Sequence, residues 1–327
     1  WRGQITEGYG YECCLIVCPS YLKLGVVDFC FPSYQPKSEA CKIAPLFTIK
    51  QQLKEMGAIK TPITYWGGKQ NLLPEILPII PEHLTYCEPF FGGGAVFWAK
   101  QPSKIEIIND LNKNVVNFYR QVECNFDALQ ERIRSTPHSR ALYLDALVMY
   151  SNPHLFSELD LAWAFYTLCN QGYSGIIGTW GFGTTTNCSE KRLHNRREDF
   201  TSHLKARLER VQMECHDALY LIKLRDRDTT FFYIDPPYFN SDMGHYGGYT
   251  KDDFEKLLQL CSQIKGKFLL SSYPSDLLDE YAKKHGWVQK EFKMAATASS
   301  LRKPKTEVLT ANYDITQPTQ TRVGGGI

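Results

Sequence analysis

Apolar and polar positions alternate most regularly over residues 85–122. "TYCEPFFGGG" (85–94) reads as a short strand running into a glycine turn, and "IEIIND" (105–110) as a second β-rich run. "NKNVVNFYRQV" (112–122) sets Val115, Val116 and Tyr119 at helical spacing. Strand, glycine loop, helix, strand, helix is how a parallel doubly wound sheet begins. The pattern resumes with a strand at "TTFFYID" (229–235). "KDDFEKLLQLCSQIK" (251–265) is then an amphipathic helix with Phe254, Leu257, Leu258 and Cys261 on one face. A strand at 266–273, a helix at 275–285 and closing strands at 287–294 and 307–313 complete it, and the expected fold class is α/β.

Residues 123–215 differ. They are helix-rich, with one glycine-rich segment, "NQGYSGIIGTWGFGTTTN" (170–187). They read as a lobe inserted into the α/β frame, which then comprises 56–122 and 216–316. Residues 317–327 are polar and glycine-rich and read as a disordered tail. The first methionine is Met56, where the text changes character. Met56 is therefore the expected native start and 1–55 an upstream extension, the alternative being a genuine Cys-rich appendage. No internal repeat is visible.

Composition narrows the class. The 327 residues suit one large domain or two, and 43% hydrophobic content is enough for a core. A net charge of +2 gives no global argument for nucleic acid, so any basic surface is local. Five of the 11 cysteines lie before residue 56, and the absence of a CxxC pair leaves a metal site unsupported. Scattered thiols fit a reducing compartment, and a cytoplasmic location is expected. Cys13 to Phe31, the most apolar early stretch, contains Pro19, Lys23 and Asp28, which argues against a membrane span.

The sharpest chemical signal is "FFYIDPPYFN" (231–240). Two prolines after a buried strand forbid helix, and the first biases Asp235 to extended backbone. Asp235, Pro236, Pro237 and Tyr238 thus form a stiff corner. The carboxylate and the Pro236 carbonyl can accept hydrogen bonds from an exocyclic amine, and Tyr238 can stack on a base. The alternative is a structural turn. Gly92, Gly93 and Gly94 sit between strand and helix, where glycine permits close approach of a ligand, or simply a tight turn. Asp110 ends the next strand, a place to hold ribose hydroxyls or to cap the following helix. "TYWGGKQNLL" (64–73) offers Tyr65 or Trp66 for stacking and Lys69 for an anion; it also reads as a surface turn. "SEKRLHNRREDFTSHLKARLER" (189–210) carries seven Lys/Arg against four acids, a phosphate-binding patch or a solvated helix face.

In order, "YWGGK" (65–69), "EPFFGGGAVF" (88–97), "IINDLN" (107–112) and "DPPY" (235–238) resemble the Dam-type adenine-N6 DNA methyltransferases of the alpha group. The run from Tyr246 to Phe254 and "EVLTANY" (307–313) resemble later segments of that family, so the likeness spans about residues 59–313. It implies a Rossmann-like S-adenosylmethionine-dependent sheet with an inserted, mainly helical target-recognition lobe. The implied activity is methyl transfer to the N6 amine of a flipped adenine in double-stranded DNA, without a metal. Asp235 to Tyr238 would be catalytic. Tyr65, Lys69, Glu88, Phe90, Gly92, Gly94, Asp110 and Asp235 would contact the cofactor. Asn170, Tyr173, Arg192, Arg196 and Arg197 would contact DNA. A companion restriction endonuclease acting separately is one implied partner; an orphan or phage role is the other possibility. The family's recognition loop commonly reads N-x-x-x-Y-N-G-L-x-R. Here it is "NQGYSGIIG" (170–178), with Ser174 for Asn and Gly178 for Arg. A lost arginine removes a bidentate guanine contact, so GATC is not carried over as the target. The competing readings are cytosine-N4 or RNA-adenine methylation, a silent DNA-binding module, and a nicotinamide dehydrogenase, the last disfavoured by the missing GxGxxG.

Overall fold

Seven strands form one sheet: β1 (Thr85–Glu88), β2 (Ile105–Asn109), β3 (Val211–Glu214), β4 (Thr230–Ile234), β5 (Lys267–Ser272), β6 (Val288–Met294) and β7 (Lys305–Ala311). Their order is β3-β2-β1-β4-β5-β7-β6. The first five are parallel, and β7 inserts antiparallel between β5 and β6. The computed structural model describes residues 59–65, 67–182, 189–240, 248–294 and 305–317. The expectations for residues 1–55, Met56, Trp66, Tyr246 and the tail beyond Gln317 lie outside them.

Eleven α-helices connect the described strands: α1 (Leu73–Ile76), α2 (Ala95–Ala99), α3 (Lys113–Cys124), α4 (Phe126–Ser135), α5 (Arg140–Ser151), α6 (Glu158–Gln171), α7 (Ser189–Glu198), α8 (Ser202–Leu208), α9 (Ala218–Arg225), α10 (Lys251–Cys261) and α11 (Asp276–His285). Their starts follow local chemistry. Asn112 caps α3 by accepting from the Asn114 amide at 3.0 Å. Ser157 with Asp160 and Thr250 with Asp253 form reciprocal capping boxes at α6 and α10.

All five residues of β4 are buried. Side chains alternate along a strand, so Phe231 and Tyr233 enter one core while Phe232 and Ile234 enter the other. Helices therefore cover both faces, as a parallel sheet requires. The first core also contains Tyr143, Trp163, Phe165 and Phe200 of the insert. The inserted helices thus share a core with one face of the sheet instead of building their own. A buried ionic group clasps them: Arg207 of α8 and Lys100 both pair with Glu106 of β2.

One boundary is corrected. Residues 211–214, assigned from sequence to the lobe, form the edge strand β3, with Val211 to Glu214 paired in parallel to Glu106 to Asn109. Among the described residues no helix is long and apolar enough to cross a membrane.

Candidate active site

β1 and β4 are neighbours, and the chain runs outward from them to β2 and β3 on one side and to β5 on the other. The carboxyl ends of such strands leave a crevice. Here it is a cleft of about 880 Å³ bordered by Tyr65, the glycine loop, Asp110 and the Asp235–Tyr238 corner.

The loop after β1 is held by side chains of its neighbours. Asn109 donates to the carbonyls of Pro89 (2.9 Å) and His216 (3.0 Å) and accepts from the His216 amide (2.9 Å). One side chain therefore ties together the ends of β1, β2 and β3. Asp110 accepts from the Gly92 amide and the Asn112 amide, each at 2.8 Å. Asp110 is thus a brace for both the glycine loop and the entry to α3, and the cap itself is Asn112. Burial raises the Asp110 carboxyl above its usual range, and the two amide donors work against that.

Two glycines in this loop are required. Gly92 has φ +48°, and a Cβ there would sit 2.7 Å from Tyr65 Cδ1. Gly94 has φ +63°, and its Cβ would lie 2.3 Å from Phe91 Cζ. The Tyr65 ring therefore packs directly on glycine backbone at the cleft wall. Glu88 lies beneath, 2% exposed, accepting from the Tyr86 hydroxyl at 2.6 Å. Burial pushes its carboxyl up to about 8, against the pull of Tyr86.

Across the cleft, Asp235 ends β4. Lys69, buried at the start of a short 3-10 turn, sits 2.8 Å from Asp235 Oδ2 and donates to the Gly67 carbonyl at 2.7 Å. The anionic partner expected for Lys69 thus includes a carboxylate of the chain itself. Burial works against charge on Lys69, but Asp235 and Glu307 outweigh it and raise its pKa. Burial also raises Asp235, with Lys69 and Tyr238 opposing. The Tyr238 hydroxyl donates to Glu307 Oε2 at 2.7 Å and lies 3.2 Å from Asp235 Oδ1. Tyr273 meets the Tyr238 ring edge-on at 4.4 Å.

Sequence reasoning found Tyr65, Lys69, Glu88, Phe90, Gly92, Gly94, Asp110 and residues 235–238, and all of them border this one cleft. It missed Asn109, Tyr249, Tyr273 and Glu307. Tyr249 packs edge-on against Phe90, and its buried hydroxyl has no partner among the described residues.

The expected DNA contacts divide. Tyr173 is 61% exposed, and the next residue, Ser174, holds φ +55°. Arg192 is exposed on α7. Asn170 is a correction: it is buried, accepts from the Thr64 amide and hydroxyl, and donates to the Pro62 carbonyl. Arg196 and Arg197 are partly buried. Arg196 donates to the Thr61 carbonyl, and Arg197 to the Thr136 carbonyl at 2.8 Å. Asn170 and Arg196 brace the insert against the segment carrying Tyr65, and Arg197 ties α7 to the end of α4 within the insert.

The model of the D12 class N6 adenine-specific DNA methyltransferase family matches residues 65–296. A type II methyltransferase of Lactococcus lactis subsp. cremoris, M1.LlaDCHI, is 27% identical over 277 residues, covering 77% of this chain and 95% of its own length. The type II methyltransferase M.MjaIII of Methanocaldococcus jannaschii is 28% identical over 218 residues, 59% of this chain and 74% of its own. A DNA N-6-adenine-methyltransferase of Escherichia phage P1 is 29% identical over 133 residues, 39% of this chain and 17% of its own.

Proposed function

This chain belongs to the D12 class of N6 adenine-specific DNA methyltransferases, which use S-adenosylmethionine, and we propose that its Asp235–Tyr238 corner is the methyl-transfer centre. The observation that carries the proposal is the half-buried Asp235 carboxylate at the end of β4, held by Lys69 and Tyr238 across the cleft from the glycine loop.

The residues suit the cofactor. Asp110 has spent one lone pair on each oxygen, and a carboxylate offers about four acceptor sites, so capacity remains for ribose hydroxyls. Tyr249 supplies a buried hydroxyl in the same cleft that has no hydrogen-bond partner among the described residues. Gly92 and Gly94 let the Tyr65 and Phe91 rings close directly on the loop that borders the cleft. When bound, the sulfonium supplies an electrophilic methyl group.

Asp235 and the Pro236 carbonyl accept the two amino protons of a target adenine. That localises the nitrogen lone pair toward the methyl group, and these bonds strengthen as the nitrogen gains positive charge. Tyr238 stacks on the base, which must leave the duplex to enter the cleft. The prolines and Lys69 hold the acceptors in place beforehand, so the contribution is chiefly orientation.

The inserted helices, residues 126–208, form the surface for double-stranded DNA, with Tyr173 and Arg192 the recognition residues that best fit an exposed role. The relatives named as type II methyltransferases support a role alongside a restriction endonuclease. Incubating the purified chain with unmethylated DNA and labelled S-adenosylmethionine, followed by nucleoside mass spectrometry, tests this reading. N6-methyladenine is expected; N4-methylcytosine, or no product, would contradict it.

A further inference from the structure

The double proline fixes the backbone of the corner, but it leaves the Tyr238 side chain free to turn about its own χ angles. The structure restrains it at the far end of the ring. The Tyr238 hydroxyl donates to Glu307 Oε2 at 2.7 Å, and Ser271 Oγ lies 3.1 Å from the same hydroxyl and 3.3 Å from Glu307 Oε2. Glu307 and Ser271 come from adjacent antiparallel strands, β7 and β5, so the tether is rooted in the sheet. Lys69 Nζ stands 5.1 Å from the ring centroid, and the Tyr273 ring lies 4.4 Å away at an interplanar angle of 61°.

We infer that Glu307 is a positioning residue for methyl transfer: it fixes the plane of the Tyr238 ring on which the target base stacks. This rests on the assignment of Tyr238 as the stacking residue. β7 enters the sheet between β5 and β6, and Glu307 reaches the corner because that insertion carries its side chain to the carboxyl end of β4. A carboxyl group suits the role because hydrogen bonds to an ionised acceptor are shorter and stronger than neutral ones. Lys69 supports it, since the same ammonium acts on both Asp235 and Glu307. A tyrosine released from this tether would sample other rotamers and present its face to the base only part of the time.

The test compares Glu307→Ala, Glu307→Gln, Tyr238→Phe and the Glu307→Ala/Tyr238→Phe double variant. Single-turnover methylation of unmethylated plasmid DNA and calorimetric affinity for S-adenosylhomocysteine are measured for each. Losing a charge-assisted hydrogen bond predicts a fall of about tenfold or more in the methyl-transfer rate of Glu307→Ala. Cofactor affinity should hold. Glu307→Gln keeps an acceptor oxygen and should recover most of the rate. In the Tyr238→Phe background the hydroxyl is already absent, so Glu307→Ala should add nothing further. A wild-type rate in Glu307→Ala overturns the inference, as do losses that multiply in the double variant. A Gln variant as slow as Ala with weakened cofactor binding also overturns it, because the role would then be electrostatic. Tyr238→Ala separates the two levels. If it transfers methyl groups at the wild-type rate, the stacking assignment itself falls; if it is inactive while Glu307→Ala is normal, only the positioning role falls.

Discussion

Asp110→Asn probes the brace that joins the glycine loop to the cofactor site. Each carboxylate oxygen of Asp110 takes one backbone amide at 2.8 Å, from Gly92 and from Asn112. An asparagine offers one acceptor oxygen. Its NH2 group must face the other amide, donor against donor. One buried N–H loses its partner, at a cost of about 1–3 kcal/mol. If the Gly92 amide is the one released, the loop shifts beneath Tyr65. If the Asn112 amide is released, the entry to α3 loosens. Either way the site also loses part of the acceptor proposed for the ribose. A combined loss of about 1.4–2.8 kcal/mol in binding corresponds to roughly tenfold to hundredfold weaker affinity. Isothermal titration with S-adenosylhomocysteine, alongside urea melts of both proteins, measures the two effects separately. Unchanged cofactor affinity together with lowered stability would refute the reasoning, since Asp110 would then serve only the loop.

Gly94→Ala combines a left-handed backbone, costing about 1–2 kcal/mol for an alanine, with a Cβ 2.3 Å from Phe91. Gly286→Ala, at φ +67° with open space around it, carries the backbone cost alone. The Gly94 variant should therefore have the lower urea midpoint, and equal midpoints would remove the packing argument. Glu88 gives a pH dependence. Its folded carboxyl is raised to about 8, so its contribution is complete below the unfolded value near 4.3 and fades as pH climbs toward 8. Glu88→Gln removes that titration while keeping an acceptor for Tyr86. Urea midpoints of the two proteins should diverge from pH 5 to pH 8 in favour of the variant, and parallel curves would count against a neutral buried Glu88.

Much of the frame is legible because its signals are local. β1, β2, β4 and β5 are apolar runs bounded by glycine, proline or charge, and the site residues that end them sit on those boundaries. β3 is not legible. "VQME" is short and only partly buried, and its strand character comes from pairing with β2. The same limit hides Glu307 and Asn109, whose partners lie 69 and 107 residues away. Arg196 and Arg197 show a different limit. A basic helix looks like a phosphate-binding face, yet charge spacing does not reveal which side packs on the protein. Here the guanidinium groups turn inward to the carbonyls of Thr61 and Thr136. Asn170 belongs to the recognition loop by motif, but it is spent holding Thr64.

Methyl transfer by Asp235→Ala decides whether the corner at the end of β4 is the reaction centre. The variant and the wild type are given the same unmethylated DNA and labelled S-adenosylmethionine, with circular dichroism and cofactor titration as checks on folding and binding. The predicted result is no N6-methyladenine above the enzyme-free level from a folded variant whose cofactor affinity falls only modestly. N6-methyladenine formed by the variant at the wild-type rate would contradict it.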